Sequence, residues 1–344
     1  MKYFTGIDVS LRFVSICVVD EVGVVQYEAK VPAEVDLIVA SLRRVSLEIR
    51  QVGLEAGTLT QYLTYGLQKA GFEVVCLEAR QTAATLAAMR NKTDRNDARG
   101  LAQILRSGWY RTVHVKSLES HQVRALLASR KAILTKCVDL ENELRGLLKI
   151  FGLRLASHVA HGSFDRTVRA AVMATPELST SLLPLLDART VLYQTYLKLD
   201  NAVKNVVRHD PICQRLMTVP GVGPVTSLTF KAGVDAADRF RSSRNVAAHF
   251  GLTPRRYQSG ETNNPGRISK AGDADVRQAL YTAAHALMTR SYAWSTLKAW
   301  GLRLAKVRGL QRAVIAVARK LAVILHRMWM DGTDFRASRL QRTT

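Results

Sequence analysis

Three short β-rich runs at the head of the chain, followed by alternating helical and strand patterns, restrict the fold more than any other feature. Tyr3 to Val9, Phe13 to Val19 and Val24 to Ala29 are rich in β-branched and apolar residues and are separated by turn-like breaks, the pattern of an antiparallel meander. A helical pattern from Ala33 to Val45 follows, then an apolar strand ending Val52, Gly53, Leu54, Glu55, a helix from Leu59 to Ala70, a strand from Val74 to Leu77, and helices from about Gln81 and Thr93. The fold class expected for residues 1–115 is therefore α/β with a mixed sheet.

Three strands and then alternating helix and strand is the ribonuclease-H-like order. Further on, Val123, Leu127, Leu134, Cys137, Leu144, Leu148 and Phe151 recur every three or four positions, predicting a long amphipathic helix or coiled coil from Gln122 to Phe151. A second such stretch runs from Leu186 to Val207, and the segment with Pro176, Ser179, Thr180, Ser181 and Pro184 between them reads as a connector. Residues 116–209 thus read as a helical coiled-coil and linker region. Residues 210–344 read as a mostly helical domain interrupted between Gly251 and Gly272.

Charge separates these regions. Residues 1–110 hold 13 basic and 12 acidic side chains, residues 111–238 hold 17 and 11, and residues 239–344 hold 20 and 5, for a net charge of +22 on 344 residues. A near-neutral head that keeps its carboxylates and a strongly basic tail suggest acid or metal chemistry in one region and a grip on phosphates in the other, with nucleic acid the first partner to consider. Cys17, Cys76, Cys137 and Cys213 lie far apart with no CxxC pair, which argues against a zinc ribbon or a disulfide framework. The start MKYFTGIDVS lacks the apolar core of a signal peptide, and the apolar stretch from Ala313 to Leu325 is cut by Arg319 and Lys320. A cytoplasmic location without a membrane partner is expected.

Four carboxylates stand at element ends: Asp8 after Gly6-Ile7, Glu55 after Gly53-Leu54, and Asp94 and Asp97 within Lys92-Thr93-Asp94-Arg95-Asn96-Asp97. Thr93 is a natural N-cap, which puts Asp94 and Asp97 together on the first helical turn. In a ribonuclease-H-like sheet the strands ending near Asp8 and Glu55 are neighbours, so all four acids can converge on one point. Hard oxygen ligands suit Mg²⁺ or Mn²⁺. Two such ions, about 3.5 to 4 Å apart, can activate a nucleophile and stabilise a leaving oxygen. Asp94 and Asp97 would also simply favour the positive end of a helix. Asp8 and Glu55, among apolar strand residues, are costly to bury unless paired or metal bound.

Two motifs mark the basic tail. Val219-Pro220-Gly221-Val222-Gly223-Pro224 resembles the turn of a helix-hairpin-helix, in which Gly221 and Gly223 would let backbone N–H groups approach a DNA phosphate; a tight turn between packed helices explains it equally well. In Gly251 to Gly272, Arg255, Arg256, Arg267 and Lys270 surround Tyr257, Ser259 and Ser269 in a stretch too rich in Gly, Asn and Pro for regular helix. Arginine forks beside a serine suit a phosphate under attack, although a lone serine in a basic loop is more often a phosphate contact or turn former. Trp109, Tyr110, Trp294 and Trp300 could stack on bases, but their spacing beside apolar residues favours packing.

GIDVS with Asp8, GLEAG with Glu55, NKTDRNDARGLA with Asp94 and Asp97, VPGVGPVTS, GLTPRRYQSGE and ISKAGDADVRQALY occur in this order, and together they closely resemble the one-ten family of bacterial insertion-sequence transposases. The resemblance runs from Asp8 to about Ala337. It implies a RuvC-like domain with a DEDD carboxylate set, a coiled-coil region and a C-terminal transposase domain with a nucleophilic serine. It makes Asp8, Glu55, Asp94 and Asp97 the Mg²⁺ ligands and Ser259 the nucleophile, with Ser269 as the alternative. It further implies recombination of DNA through a phosphoserine intermediate, a structured guide RNA from the element's noncoding end as a partner, dimers to tetramers, and a nucleoid-associated location. Two rivals stay open on the residues themselves. One is a RuvC-like hydrolytic nuclease or Holliday junction resolvase that uses water in place of serine. The other is a non-catalytic nucleic-acid-binding protein whose acids are structural.

Overall fold

The N-terminal meander forms as its β-branched runs dictate: β1 (Tyr3–Val9), β2 (Phe13–Val19) and β3 (Val25–Pro32) pair antiparallel in sequence order. The computed structural model describes residues 1–88, 91–173, 175–259 and 262–337, in two compact units, Met1–Lys116 and Ser117–Thr344. In the first unit α1 (Val35–Arg44), β4 (Ile49–Glu55), α2 (Thr60–Lys69), β5 (Val74–Leu77), α3 (Ala79–Leu86) and α4 (Asp94–Ser107) follow, and the sheet order is β3-β2-β1-β4-β5. β1 is antiparallel to β2 and parallel to β4, which is in turn parallel to β5. This is the mixed sheet expected from the order of elements. β3 runs three residues beyond the predicted Ala29, because it continues its ladder with β2 through Val31 and Pro32.

Side-chain alternation divides the sheet's two faces. On one face Ile7, Val14, Ile16, Val52 and Leu54 pack with Ile38 and Leu42 of α1 and with Leu63 and Leu67 of α2. On the other, Cys17 and Val19 pack with Ala98 and Ala102 of α4, beside a cluster of Leu77, Leu101 and Ile104. β2 is buried over nearly its whole length because both of its faces are covered.

The second unit is helical apart from one β-ribbon. Its elements are α5 (Leu118–Ile150), α6 (His161–Met173), a 3₁₀ turn (Pro176–Leu178), α7 (Ser179–Arg208), α8 (Pro211–Met217), α9 (Pro224–Val234), α10 (Ser243–His249), β6 (Pro254–Ser259), β7 (Thr262–Ile268), α11 (Ala274–Thr289), α12 (Thr296–Arg308) and α13 (Leu310–Asp331). α5 and α7 are the two long amphipathic helices foreseen from periodicity. They are cross-linked by Arg130–Asp200 and by a buried Arg189–Glu141 pair. The segment read as a connector is instead the 3₁₀ turn, which holds Pro176, and the start of α7. Pro184 lies in its second turn, where the buried Leu182 and Leu186 hold the helix against Phe164 and Val168 of α6 despite the lost backbone bond. The largest core joins α9, α10, α11 and α13 through Phe230, Val246, Phe250, Leu280 and Leu321. Among the described residues, no helix is long and apolar enough to cross a membrane.

Candidate active site

Register brings the first two acids together. In the parallel β1–β4 ladder Ile7 lies opposite Leu54, so Asp8 and Glu55, one residue further along each strand, leave neighbouring strands side by side. Alternation turns both away from the apolar face that buries Ile7 and Leu54, onto the face covered by α4.

Two glycines bring the other pair. Gly6 and Gly53 share that second face, two positions before Asp8 and Glu55. A Cβ on Gly6 would stand 2.2 Å from Ala98 O and 2.3 Å from Ala102 N, and one on Gly53 would stand 3.2 Å from the Leu105 side chain. The α4 backbone therefore rests directly on β1 at Gly6, and its Leu105 side chain lies over Gly53 of β4. One ridge of α4 reads Asp94, Asp97, Ala98, Leu101, Ala102, Leu105, acidic at its start and apolar along its length, so seating the apolar part over Gly6 and Gly53 carries the acidic turn toward Asp8 and Glu55. The helix begins where expected: the Thr93 side chain accepts from Asn96 N at 3.2 Å. Glu28 of β3 holds the outer side, accepting from Arg95 and from Arg99.

The electrostatics record the convergence. The Asp8 carboxyl is pushed above its ordinary value by burial and then by the charges of Asp97 and Asp94. That of Glu55 is pushed up by burial and then by Asp8 and Asp97, and the Lys92 ammonium partly offsets both. Asp94 is more exposed, and its carboxylate meets Lys30 Nζ at 3.2 Å. Among the described residues no three Asp, Glu, His or Cys side chains form a ready-made cation cage. Mutual repulsion of carboxylates and the pull of Lys30 on Asp94 oppose such closure. A donor set of carboxylate oxygens alone, in a negative field, has the chemistry to fit a hard divalent cation. Lys30 and Lys92 were missed by sequence reasoning; Lys92 stands beside Thr93 in the acidic motif and was the readable signal.

The serine motif lies in the other unit. Its Gly-, Asn- and Pro-rich stretch forms a two-stranded antiparallel ribbon in which Arg256, Tyr257, Gln258 and Ser259 of β6 stand opposite Pro265, Asn264, Asn263 and Thr262 of β7. Ser259 is the last residue of β6, at the end of the ribbon, whereas Gly260 and Glu261 lie outside the described residues. Ser269 sits at the ribbon's base, its N–H donating to Thr253 O and its Oγ accepting from Ala271 N. Arg255 is exposed and donates to Ser269 O, Arg267 is exposed, and Lys270 adopts φ +55° beside Gly251. His249 packs against Phe240 and Phe250, and His285 stacks on Tyr281.

The Val219–Pro224 motif joins α8 to α9. Gly221 has φ +88°, and a Cβ there would strike Ala283 O at 2.5 Å, so packing on α11 accounts for this glycine. Gly223, at the start of α9, has open space around its Cα. Of the aromatic residues, Trp300 and Tyr110 are partly buried, but Trp109 and Trp294 are 69% and 62% exposed, against the packing role their spacing suggested.

Comparison with known proteins defines the class. A family model described as "Transposase" matches residues 5–152, and one described as "Transposase IS116/IS110/IS902 family" matches residues 213–299. The chain is 30% identical over 332 residues to "Transposase for insertion sequence element IS1111A" of Coxiella burnetii, covering 93% of this chain and 87% of that one. It is 27% identical over 246 residues to "Transposase for insertion sequence element IS1328" of Yersinia enterocolitica, covering 71% and 74%. A solved structure described as "T. thermophilus RuvC in complex with Holliday junction substrate" aligns with 33% of this chain and 100% of that one, at 15% identity and a TM-score of 0.27. The protein is thus a transposase, an enzyme acting on DNA. It belongs to the IS116/IS110/IS902 family.

Proposed function

We propose that this transposase moves an insertion sequence by cutting and rejoining DNA strands through a covalent phosphoserine link, with Ser259 as nucleophile and Asp8, Glu55, Asp94 and Asp97 as an acidic site serving the same reaction. The single observation that carries the reading is the seating of α4 on Gly6 and Gly53, which directs two acids of a helix toward two acids of adjacent strands. Support for the serine comes from its place at the end of a ribbon with Arg255, Arg256, Arg267 and Lys270 along its strands and at its base.

In the first step the Ser259 hydroxyl attacks a backbone phosphorus. A P–O bond to Ser259 forms, the P–O bond to one deoxyribose breaks, and the released sugar hydroxyl takes up the proton that serine gives up. The ribbon's guanidinium groups stabilise charge on the phosphoryl oxygens. Rejoining is the same step run with another strand's hydroxyl, which displaces serine without outside energy. Asp8 and Glu55, with Asp94 and Asp97, would hold Mg²⁺ or Mn²⁺, which supplies Lewis-acid stabilisation and lowers the pKa of a bound hydroxyl. The structured guide RNA and the oligomer implied by family resemblance belong to this proposal. The basic C-terminal part and the long α5–α7 pair support them.

The test incubates purified protein with Mg²⁺, RNA transcribed from the element's flanks, and labelled junction and target DNA, and looks for a DNA-linked protein band on denaturing gels. Wild type should give the band, and Ser259→Ala and Asp8→Ala should both lose it. Cutting without an adduct that persists in Ser259→Ala would establish a hydrolytic nuclease instead, and unchanged activity in Asp8→Ala would make the acids structural.

A further inference from the structure

Between Asp275 and Asp331 the chain carries ten Lys and Arg residues and no Asp or Glu. This stretch makes up most of α11 and nearly all of the α12–α13 hairpin, which turns at Gly309 with φ +80°. Some of these cations have internal duties. Arg277 donates to carbonyls of Phe250 and Ala271, Lys320 lies 3.7 Å from the centroid of the Trp300 ring, and Arg327 pairs with Asp331. Others do not: Arg303, Lys306, Arg312 and Arg319 are exposed, and among the described residues none has a carboxylate partner. Six unopposed cations, counting Arg290 and Arg308, raise the free energy of this unit by self-repulsion. They make sense where a polyanion neutralises them.

At the N-terminal end of the same hairpin stand two exposed rings. Tyr292 is 102% exposed and Trp294 62%. They are mounted on a tied turn: Ser295 Oγ caps α12 by accepting from Lys298 N at 3.1 Å, Lys298 Nζ donates to Ser291 O, and Ser291 Oγ accepts from Ala293 N at 3.2 Å. Large aromatic side chains held out in water at one end of a hairpin that carries unpaired cations along its length fit a ligand that offers flat π-faces and phosphates together. A DNA duplex hides its base faces. A second copy of this chain would bring the same cations into contact with these, which like-charge repulsion opposes. An unpaired strand offers both features, and the enzyme acts on DNA.

We propose that the α11–α12 turn and the α12–α13 hairpin hold an unpaired DNA strand, with bases stacked on Tyr292 and Trp294 and phosphates on Arg303, Lys306, Arg312 and Arg319. The proposal rests on the DNA partner and not on the phosphoserine reading, so it is tested by binding without a divalent cation, where failure to cut has no bearing.

Full-length protein is titrated into a labelled oligothymidylate, a duplex of equal length and an oligouridylate, and fluorescence anisotropy is followed. Tyr292→Ala and Trp294→Ala should each weaken oligothymidylate binding by about fivefold or more while changing duplex binding by less than about twofold. Phe at either position should restore the wild-type value, which a fold defect would not allow. Arg303→Ala with Arg312→Ala should lower the slope of log affinity against log salt by about 1.4 for the single strand. Unchanged oligothymidylate affinity in both aromatic variants would overturn the proposal, as would an equal loss on duplex. An aromatic effect confined to oligouridylate would reassign the surface to RNA, and loss of self-association in sedimentation would make it an interface between copies.

Discussion

A single methyl group at Gly6 tests how the acidic site is assembled. In Gly6→Ala the new Cβ would stand 2.2 Å from Ala98 O, 2.3 Å from Ala102 N and 2.9 Å from Leu101 Cβ. Two of these are backbone atoms of α4 and cannot swing aside, and ordinary contact begins near 3.4 Å. The helix must therefore retreat from β1 by about 1 Å. Overpacking of this kind costs about 1–3 kcal/mol, which in a unit of 116 residues corresponds to a fall of roughly 5–15 °C in melting temperature. The functional loss should be greater than the stability loss suggests. Asp94 and Asp97 ride on α4 while Asp8 and Glu55 stay on the strands, so the retreat separates the acids into two pairs, and a misplacement of about 1 Å costs about 10²-fold in rate. Calorimetry gives the first quantity; the rate of cutting labelled junction DNA, measured well below the variant's melting point, gives the second. A variant with wild-type melting and wild-type cutting would refute the packing of α4 on Gly6. One with lowered melting but an unchanged rate would refute the role of the α4 acids.

Two further outcomes follow from ion pairs. Hydrogen bonds from Arg99 and Arg95 pull the Glu28 carboxyl from 4.5 to about 2, so its contribution is fully present above about pH 4.5 and is lost as pH falls toward 2. Melting temperature should therefore fall more steeply with acid over that window in wild type than in Glu28→Gln, and identical slopes would contradict the clamp. In the second unit Glu141 accepts from Arg189, which is 1% exposed, and meets His161 Nδ1 at 2.9 Å. Glu141→Gln strands a buried guanidinium and should lower unfolding free energy by about 3–5 kcal/mol in urea titrations. Glu141→Leu with Arg189→Met should recover much of it, and an unmoved midpoint in the single variant would sink the argument.

How far these features were legible in the sequence follows from the distance over which each is determined. β1, β2, β4, α2 and the long helices α5 and α7 were readable because period-two and heptad-like patterns are enforced by a residue's near neighbours. That Asp8 and Glu55 end neighbouring strands and that Asp94 and Asp97 open α4 was readable from element order together with Thr93 as a cap. What seats α4 against the sheet was not, since Gly6 and Gly53 read in a strand only as weak positions, and the α4 backbone that lies over Gly6 and the Leu105 side chain that lies over Gly53 come some ninety and fifty residues later. The same gap hid Arg189. An arginine in an amphipathic helix reads as surface until Glu141, on another helix, and the His161 carbonyl are known to enclose it. Pro184 was read as a break because the local cost of a helical proline is evident in sequence, while the burial of Leu182 and Leu186 that outweighs it is not. Trp294 failed in the opposite sense. Apolar neighbours at helical spacing suggested packing, yet it stands in a turn before the Ser295 cap, where that period has no face to bury. Patterns within one element thus identify which side of it is apolar; what covers that side, or leaves it open to a ligand, is decided by residues far along the chain.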